Sequence, residues 1–261
     1  MNKGGKMLEG KTILIMGIRN KWSIAYGVAK SAYANGAKLM FTFMGEDNRE
    51  KIEELISEFK GTKAYTCDVS IDEDIEKLFK TIKKEHGKID GILHSIAHAS
   101  TDALRNDFLY TSKEDFSHAN DISAYSFVAV SRYAKELEIL NENASLVALT
   151  YYGSQKVLPN YNVMGVAKSA LECSIRYLAD NLGPTTTRVN AVSAGPIKTL
   201  SAKGIKDFNA ILNIVEQKAP LRRNVTTEEV GDSVTFLLSN MSRAITGQII
   251  YADSGYNIMG I

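Results

Sequence analysis

Proline and cysteine are scarce in this chain, and each scarcity excludes something. Four prolines among 261 residues, with no low-complexity tract, argue against a proline-rich linker or a disordered chain. Two cysteines, Cys67 and Cys173, cannot build a disulfide scaffold, and neither has metal-ligand spacing, so no metal site is expected. With no secretion signal, they suggest a reduced, cytoplasmic protein in which both are packing residues. No apolar run reaches membrane-spanning length. Charge of one sign is not in excess either: 31 basic and 30 acidic side chains give a formal net charge of +1, so no whole-molecule field exists to hold nucleic acid or an anionic membrane. Small-molecule chemistry remains.

What is present has ordinary globular proportions, 44% hydrophobic and 23% charged, enough to bury one large core. One domain over residues 1–261 is expected, with 1–7 a flexible extension before a second candidate start at Met7. Short apolar runs at 12–16, 38–43, 64–66, 91–95, 145–150, 188–192 and 248–251 alternate with helical patterns at 24–34, 49–59, 72–86, 125–138, 161–181 and 228–238. That alternation predicts an α/β fold, a single Rossmann-type doubly wound parallel sheet of about seven strands flanked by helices. Thr226 before Glu228 and Glu229, and Ser70 before Asp72 and Glu73, read as helix N-caps with acids in the first turn. Residues 197–219 leave this rhythm and read as loop plus short helices, the kind of excursion that covers a site.

The segment Gly17-Ile18-Arg19-Asn20-Lys21-Trp22-Ser23-Ile24-Ala25-Tyr26-Gly27 turns from the first strand into a helix. A helix start offers unpaired amides and partial positive charge to a diphosphate, and glycine allows close approach. The spacing is not G-x-G-x-x-G, so the alternative, glycines serving turn geometry and helix packing, stays open. At the second strand end, Met44 precedes Glu46, an acid that disfavours a 2′-phosphate, which favours NADH over NADPH. Asp68, followed by Val69, is placed to accept from an adenine amino group or, equally, to cap the next turn. Ser95, Ile96 and Ala97 lie at the carboxyl edge beside a cofactor ribose. His94 and His98 flank them without a third metal ligand, and structural roles suit them better.

The decisive stretch runs from Thr150 to Lys168. Tyr161 and Lys168 are seven residues apart, two helical turns, which aims both at one site. A neighbouring ammonium favours the tyrosine anion and strengthens the hydroxyl as a donor to a carbonyl. With twelve tyrosines a pair at this spacing arises by chance about once, so position in the fold must decide.

These residues, with Ser193-Ala194-Gly195-Pro196-Ile197-Lys198-Thr199 and the Gly17 to Gly27 segment, closely resemble the bacterial enoyl-acyl-carrier-protein reductases of the short-chain dehydrogenase/reductase superfamily. The likeness spans about residues 8–256 and is most specific in the Tyr-x6-Lys spacing and the Pro159-Asn160-Tyr161-Asn162-Val163-Met164-Gly165 run. Ordinary members of the superfamily carry Tyr-x3-Lys, where this chain has Gly165. The resemblance implies hydride transfer to the β-carbon of a trans-2-enoyl thioester in type II fatty acid synthesis, with Tyr161 donating to the enolate oxygen and Lys168 gripping the nicotinamide ribose. Tyr151 matches a second tyrosine lining the substrate slot, with a packing role as its alternative. By the same likeness Ile197 and Thr199 contact the nicotinamide carboxamide and diphosphate. Residues 197–219 become a helical substrate-binding lid, with Leu200, Ile205, Phe208 and Ile211 toward an acyl chain that Ala99 and Met164 also line. Lys198, Lys203 and Lys206 would meet an acidic acyl carrier protein, or form a solvated face. A cytoplasmic homotetramer is the implied assembly.

Two other readings differ in class. A carbonyl reductase of the same superfamily would pair Tyr161 with Thr150 or Ser154. A nicotinamide-binding regulator would keep the fold without turnover, against which the intact Tyr161 and Lys168 speak.

Overall fold

The computed structural model describes residues 5–199 and 208–260. Within them the apolar runs form strands β1 (Thr12–Met16), β2 (Lys38–Phe43), β3 (Lys63–Thr66), β4 (Ile89–His94), β5 (Leu140–Thr150), β6 (Arg188–Ala194) and β7 (Ile249–Ala252). All neighbours pair parallel in the order β3-β2-β1-β4-β5-β6-β7. The expected sheet is therefore observed, and its direction reverses between β1 and β4, which opens a crevice at their carboxyl ends.

Period-two alternation sends Ile13 and Ile15 to one face and Leu14 and Met16 to the other. The first face is covered by α1 (Ile24–Ala34), α2 (Arg49–Ile56) and α9 (Thr227–Leu238), the second by α3 (Asp72–His86), α6 (Ser126–Glu136) and α7 (Val163–Leu182). Both faces are buried, so the strands are continuously apolar. Fully buried side chains such as Phe41 and Phe79, one on each face, contribute about 2–3 kcal/mol apiece. α1 and α9 cross in close contact. A Cβ on Gly231 would sit 2.6 Å from the Gly27 carbonyl, and one on Gly27 would strike Thr227. Gly27 thus serves helix packing.

Thr226 caps α9 in a reciprocal box with Glu229, as its sequence predicts. Ser70 does not cap α3. The N-cap is Ile71, without a side-chain bond, and Ser70 instead bonds Asp68. Cys67 is buried as expected, but Cys173 is exposed on α7, because its turn faces away from the sheet.

Two helices escape the apolar pattern, α4 (Thr101–Arg105) and α5 (Lys113–Asn120). α5 buries only Ala119 and so shows almost no stripe. It runs through a π-turn, Asp121–Tyr125, into α6, which therefore continues an earlier helix rather than starting near residue 125. α8 (Phe208–Lys218) lies in the excursion after β6. Among the described residues no helix is long and apolar enough to cross a membrane.

Candidate active site

Tyr161 lies two residues before the helix predicted to carry it. α7 begins at Val163, and the turn before it holds Asn160 and Asn162 at φ of 64° and 42°. Asparagine tolerates this left-handed region better than most residues. The Asn162 amide anchors the turn across the crevice, donating to Leu104 O at 3.2 Å and Asn106 O at 2.7 Å. The two asparagines flanking Tyr161 are thus explained by backbone geometry.

The Tyr161 ring stands edge-on to Tyr151, centroids 5.0 Å apart at 77°. Both belong to a small apolar cluster, separate from the two large cores, in which Tyr161, Val163, Met164, Ala103, Leu104 and Ala119 are joined by Ala99, Tyr151 and Leu158. Four predicted substrate contacts, Ala99, Tyr151, Tyr161 and Met164, are therefore brought together. Phe208 opens α8, half-buried and outside that cluster. Leu200 and Ile205, with Lys203 and Lys206, lie outside the described residues.

Two glycines make room for this ring. A Cβ on Gly153 would strike the Tyr161 ring, and one on Gly165 would sit 2.7 Å from the Gly153 carbonyl. A lysine at the shorter Tyr-x3-Lys spacing would displace that backbone. Lys168 instead rises from the next turn of α7, 5% exposed, with Nζ donating to Leu149 O at 2.8 Å. Burial pulls Lys168 down to about 8, against the opposing influence of Glu172. The Tyr161 hydroxyl moves the other way. Burial, then Tyr151 and Glu172, push it well above the ordinary tyrosine range, so the expected lowering by an ammonium is overturned and Tyr161 stays a protonated donor.

Glu172, one turn beyond Lys168, was missed in the sequence. It is 6% exposed, and its Oε1 accepts from Thr150 Oγ1 at 2.7 Å and Ser154 Oγ at 2.6 Å. The signal was an acid at i+4 from a catalytic lysine candidate. Its contacts bear on the carbonyl-reductase reading, because both hydroxyls that would assist Tyr161 donate to Glu172 instead.

At the β1 end, Gly17 has φ of 87°, and a Cβ there would lie 2.5 Å from Ser95 O and 2.8 Å from the Ile96 side chain. Its amide, like that of Ile18, donates to Thr42 O at 3.1 Å, so Gly17 brings two loops together and is not an amide donor to phosphate. Ser23 caps α1. Its hydroxyl accepts from the Tyr26 amide at 3.2 Å and donates to Asn20 O at 2.7 Å, so it is not the free donor expected. The amides of Ile24 and Ala25 open the helix, where no residue four back in it can accept them. Met44 is 68% exposed at the β2 end. Beside it Arg49 pairs with Glu46 at 2.6 and 2.9 Å, and Arg49 with Thr66 holds the carboxyl down to about 2. Asp68 Oδ1 accepts from the amide and hydroxyl of Ser70, the capping alternative, and Val69 is buried. Ser95 and Ile96 are half-buried and Ala97 exposed; Ile197 packs against the α1 side of the core, and the Thr199 amide donates to Ile197 O at 2.8 Å.

Neither histidine looks like a catalytic base. His94 is fully buried, its Nε2 2.8 Å from Ser126 Oγ, and burial pushes it down to about 3. His98 Nδ1 lies 2.8 Å from His118 Nε2, and its backbone is held by Ser123 of the π-turn. Among the described residues no group of three or more His, Cys, Asp or Glu side chains is placed to hold a metal ion.

A family model described as Enoyl-(Acyl carrier protein) reductase matches residues 17–257. The enoyl-[acyl-carrier-protein] reductase [NADH] of Bacillus cereus is 49% identical over 98% of this chain and all of its own length. The [NADPH] reductase of Staphylococcus aureus is 50% identical over 96% of this chain and 98% of its own. The chain belongs to the enoyl-acyl-carrier-protein reductase family. The crystal structure of the Bacillus cereus reductase with NADP+ and an indole naphthyridinone superposes with a TM-score of 0.95 at 48% identity, covering 98% of this chain and all of that one. The Aquifex aeolicus enoyl-acyl-carrier-protein reductase (NADH) gives 0.94 at 43% identity, covering 98% and 99%. Family membership and the sequence resemblance thus agree over the whole sheet and the Tyr161 crevice.

Proposed function

We infer that this chain is an enoyl-acyl-carrier-protein reductase of type II fatty acid synthesis, reducing the trans-2 double bond of an enoyl thioester with a nicotinamide cofactor. The observation that carries the reading is the pairing of a buried, protonated Tyr161 with Lys168 at the longer spacing, in a crevice where Gly165 excludes the shorter one. The donor set suits the cofactor. The start of α1 at Ile24 and Ala25 offers amides to a diphosphate, Asp68 keeps a second carboxylate oxygen toward an adenine amino group, and the loops of Gly17 and Ser95 to Ala97 line the crevice between. When bound, the nicotinamide supplies hydride to the substrate β-carbon.

Each residue has a distinct part. Tyr161 donates its hydroxyl to the thioester oxygen as negative charge builds there, a contribution of several kcal/mol in a dry site. Lys168 binds the nicotinamide ribose and places a positive charge near the developing enolate. Tyr151, edge-on to Tyr161, walls the slot for the enoyl chain, with Ala99 and Met164 behind it. Ile197 and Thr199 fix the nicotinamide end, and Phe208, which opens α8, is offered to the acyl chain. NADH is the preferred cofactor, supported by Glu46, whose charge at the β2 end opposes a 2′-phosphate. The substrate is carried by an acyl carrier protein, and a cytoplasmic homotetramer is the working assembly; these rest on family membership.

The test follows NAD(P)H loss with a short trans-2-enoyl thioester, NADH and NADPH side by side. Enoyl reduction is expected with NADH in excess of NADPH, falling about 100-fold or more in Tyr161→Phe. Ketone reduction without enoyl reduction would sink the reading.

A further inference from the structure

Glu172 touches both halves of the site without reaching the place where substrate would lie. On α7 it sits one turn beyond Lys168, on the same helix face. Across from α7 it accepts hydroxyls from Thr150 at 2.7 Å and Ser154 at 2.6 Å, the residues that bracket the turn carrying Tyr151 and Gly153. Ser169 reinforces the same turn, donating to Ser154 O at 2.5 Å. Since Gly153 lies against the Tyr161 ring, the carboxylate is linked by direct contacts to the wall behind the tyrosine. A buried acid costs several kcal/mol unless it is paired or fully hydrogen-bonded, and an apolar side chain would fill this place without that penalty.

We propose that Glu172 is a positioning residue: its buried carboxylate keeps the Lys168 ammonium charged and fastens the 150–154 turn beneath Tyr161. The proposal rests on the reductase reading given above. The groups facing this pair are few. Among the described residues Lys168 donates to the Leu149 carbonyl of β5 and lies within electrostatic reach of His94 of β4, which burial keeps neutral; Glu172 meets the two hydroxyls, with Tyr161 and Tyr251 of β7 within the same reach. Among the described residues, Glu172 is the anion that opposes the lowering of Lys168 by burial. Glu172 therefore sets how far up the pH scale Lys168 stays charged.

The experiment is the pH profile of kcat/KM, and of NADH affinity measured without substrate, in wild type, Glu172→Gln and Glu172→Asp. Glutamine keeps an acceptor for the hydroxyls and removes the charge. The alkaline limb is expected to move down by about 1 pH unit in Glu172→Gln, with NADH binding weakened about fivefold at pH 8 and restored near pH 6. Glu172→Asp, which withdraws the charge by one methylene, shows a smaller shift in the same direction and stands in if the glutamine variant does not fold. A uniform loss of kcat with an unmoved limb overturns the proposal. NADH binding reads Glu172 even if no enoyl thioester is reduced, so failure of the reductase reading is distinguishable from failure of this one.

Discussion

Two cations are buried to nearly the same degree at opposite ends of the sheet, Lys168 at 5% exposure and Arg188 at 6%. Arg188, the first residue of β6, is held at four points: Nη1 donates to Leu237 O, Ser242 O and Ser242 Oγ, and Nη2 to Ser239 O. It gathers the last carbonyls of α9, where a helix favours positive charge. Among the described residues Lys168 makes one hydrogen bond, with Leu149 O, although its ammonium has three donors. Burial lowers both. A buried cation gripped by four acceptors is a strut, and one held at a single point is equipped to bind.

The sharpest way to break this comparison is to delete each cation. Lys168→Met is expected to lower kcat/KM by about 10³-fold, roughly 4 kcal/mol of transition-state stabilisation, while thermal stability holds or rises. Arg188→Met should instead leave the activity of the folded fraction near wild type and cost about 3 kcal/mol by stranding buried acceptors, a Tm drop of roughly 10 °C. Calorimetry with steady-state kinetics on both variants decides, and a Tm loss in Lys168→Met equal to that in Arg188→Met would erase the distinction.

Next in size is a purely steric test at the functional end. Gly153→Ala puts a methyl against the Tyr161 ring without touching any polar group. A displaced donor should lower kcat by about 10- to 100-fold, with Tm changed by only a few degrees. Wild-type kcat in that variant would mean that the ring position is not what the site depends on.

At Lys168 stability and activity respond oppositely to pH. Lys168 has its folded value lowered to about 8 from 10.5, so the unfolded chain holds the proton more tightly. Its burial cost is present below pH 8 and is relieved as pH rises from 8 toward 10.5. The Tm advantage of Lys168→Met over wild type should therefore shrink across that window, whereas wild-type kcat/KM falls through about pH 8 as the ammonium is lost. An advantage that stays constant to pH 10 would show that Lys168 carries no such penalty.

The strands and the helices with strong apolar stripes were legible in the sequence because burial on both faces leaves a continuous or periodic pattern. α4 and α5 were not, since they bury little, and the π-turn has no signature of its own. At the site, Tyr161, Lys168 and Tyr151 were readable from spacing and resemblance. Tyr161's protonation was not, because desolvation depends on neighbours far apart in the chain. Glu172 was hidden for the same reason: its partners Thr150 and Ser154 lie about 20 residues away and meet it only once β5 packs against α7. Ser23 and Gly17 show the converse, residues whose cofactor-like placement conceals a structural duty in capping α1 and closing loops.

The smallest effect concerns the far end of the crevice, where charge is compensated at the surface rather than buried. Glu46 and Arg49 form a paired couple with Thr66, and Arg49 stacks 5.4 Å from the Phe43 ring, so the acid opposes a 2′-phosphate while tying down the nearest base. Glu46→Gln removes the repulsion and frees Arg49. Because both side chains are solvated, the gain is modest, an increase of about three- to tenfold in the NADPH to NADH ratio of kcat/KM, reduced by added salt. Unlike the Lys168 variants it should leave NADH turnover and the alkaline limb in place. A ratio that does not change would place cofactor choice away from the β2 end.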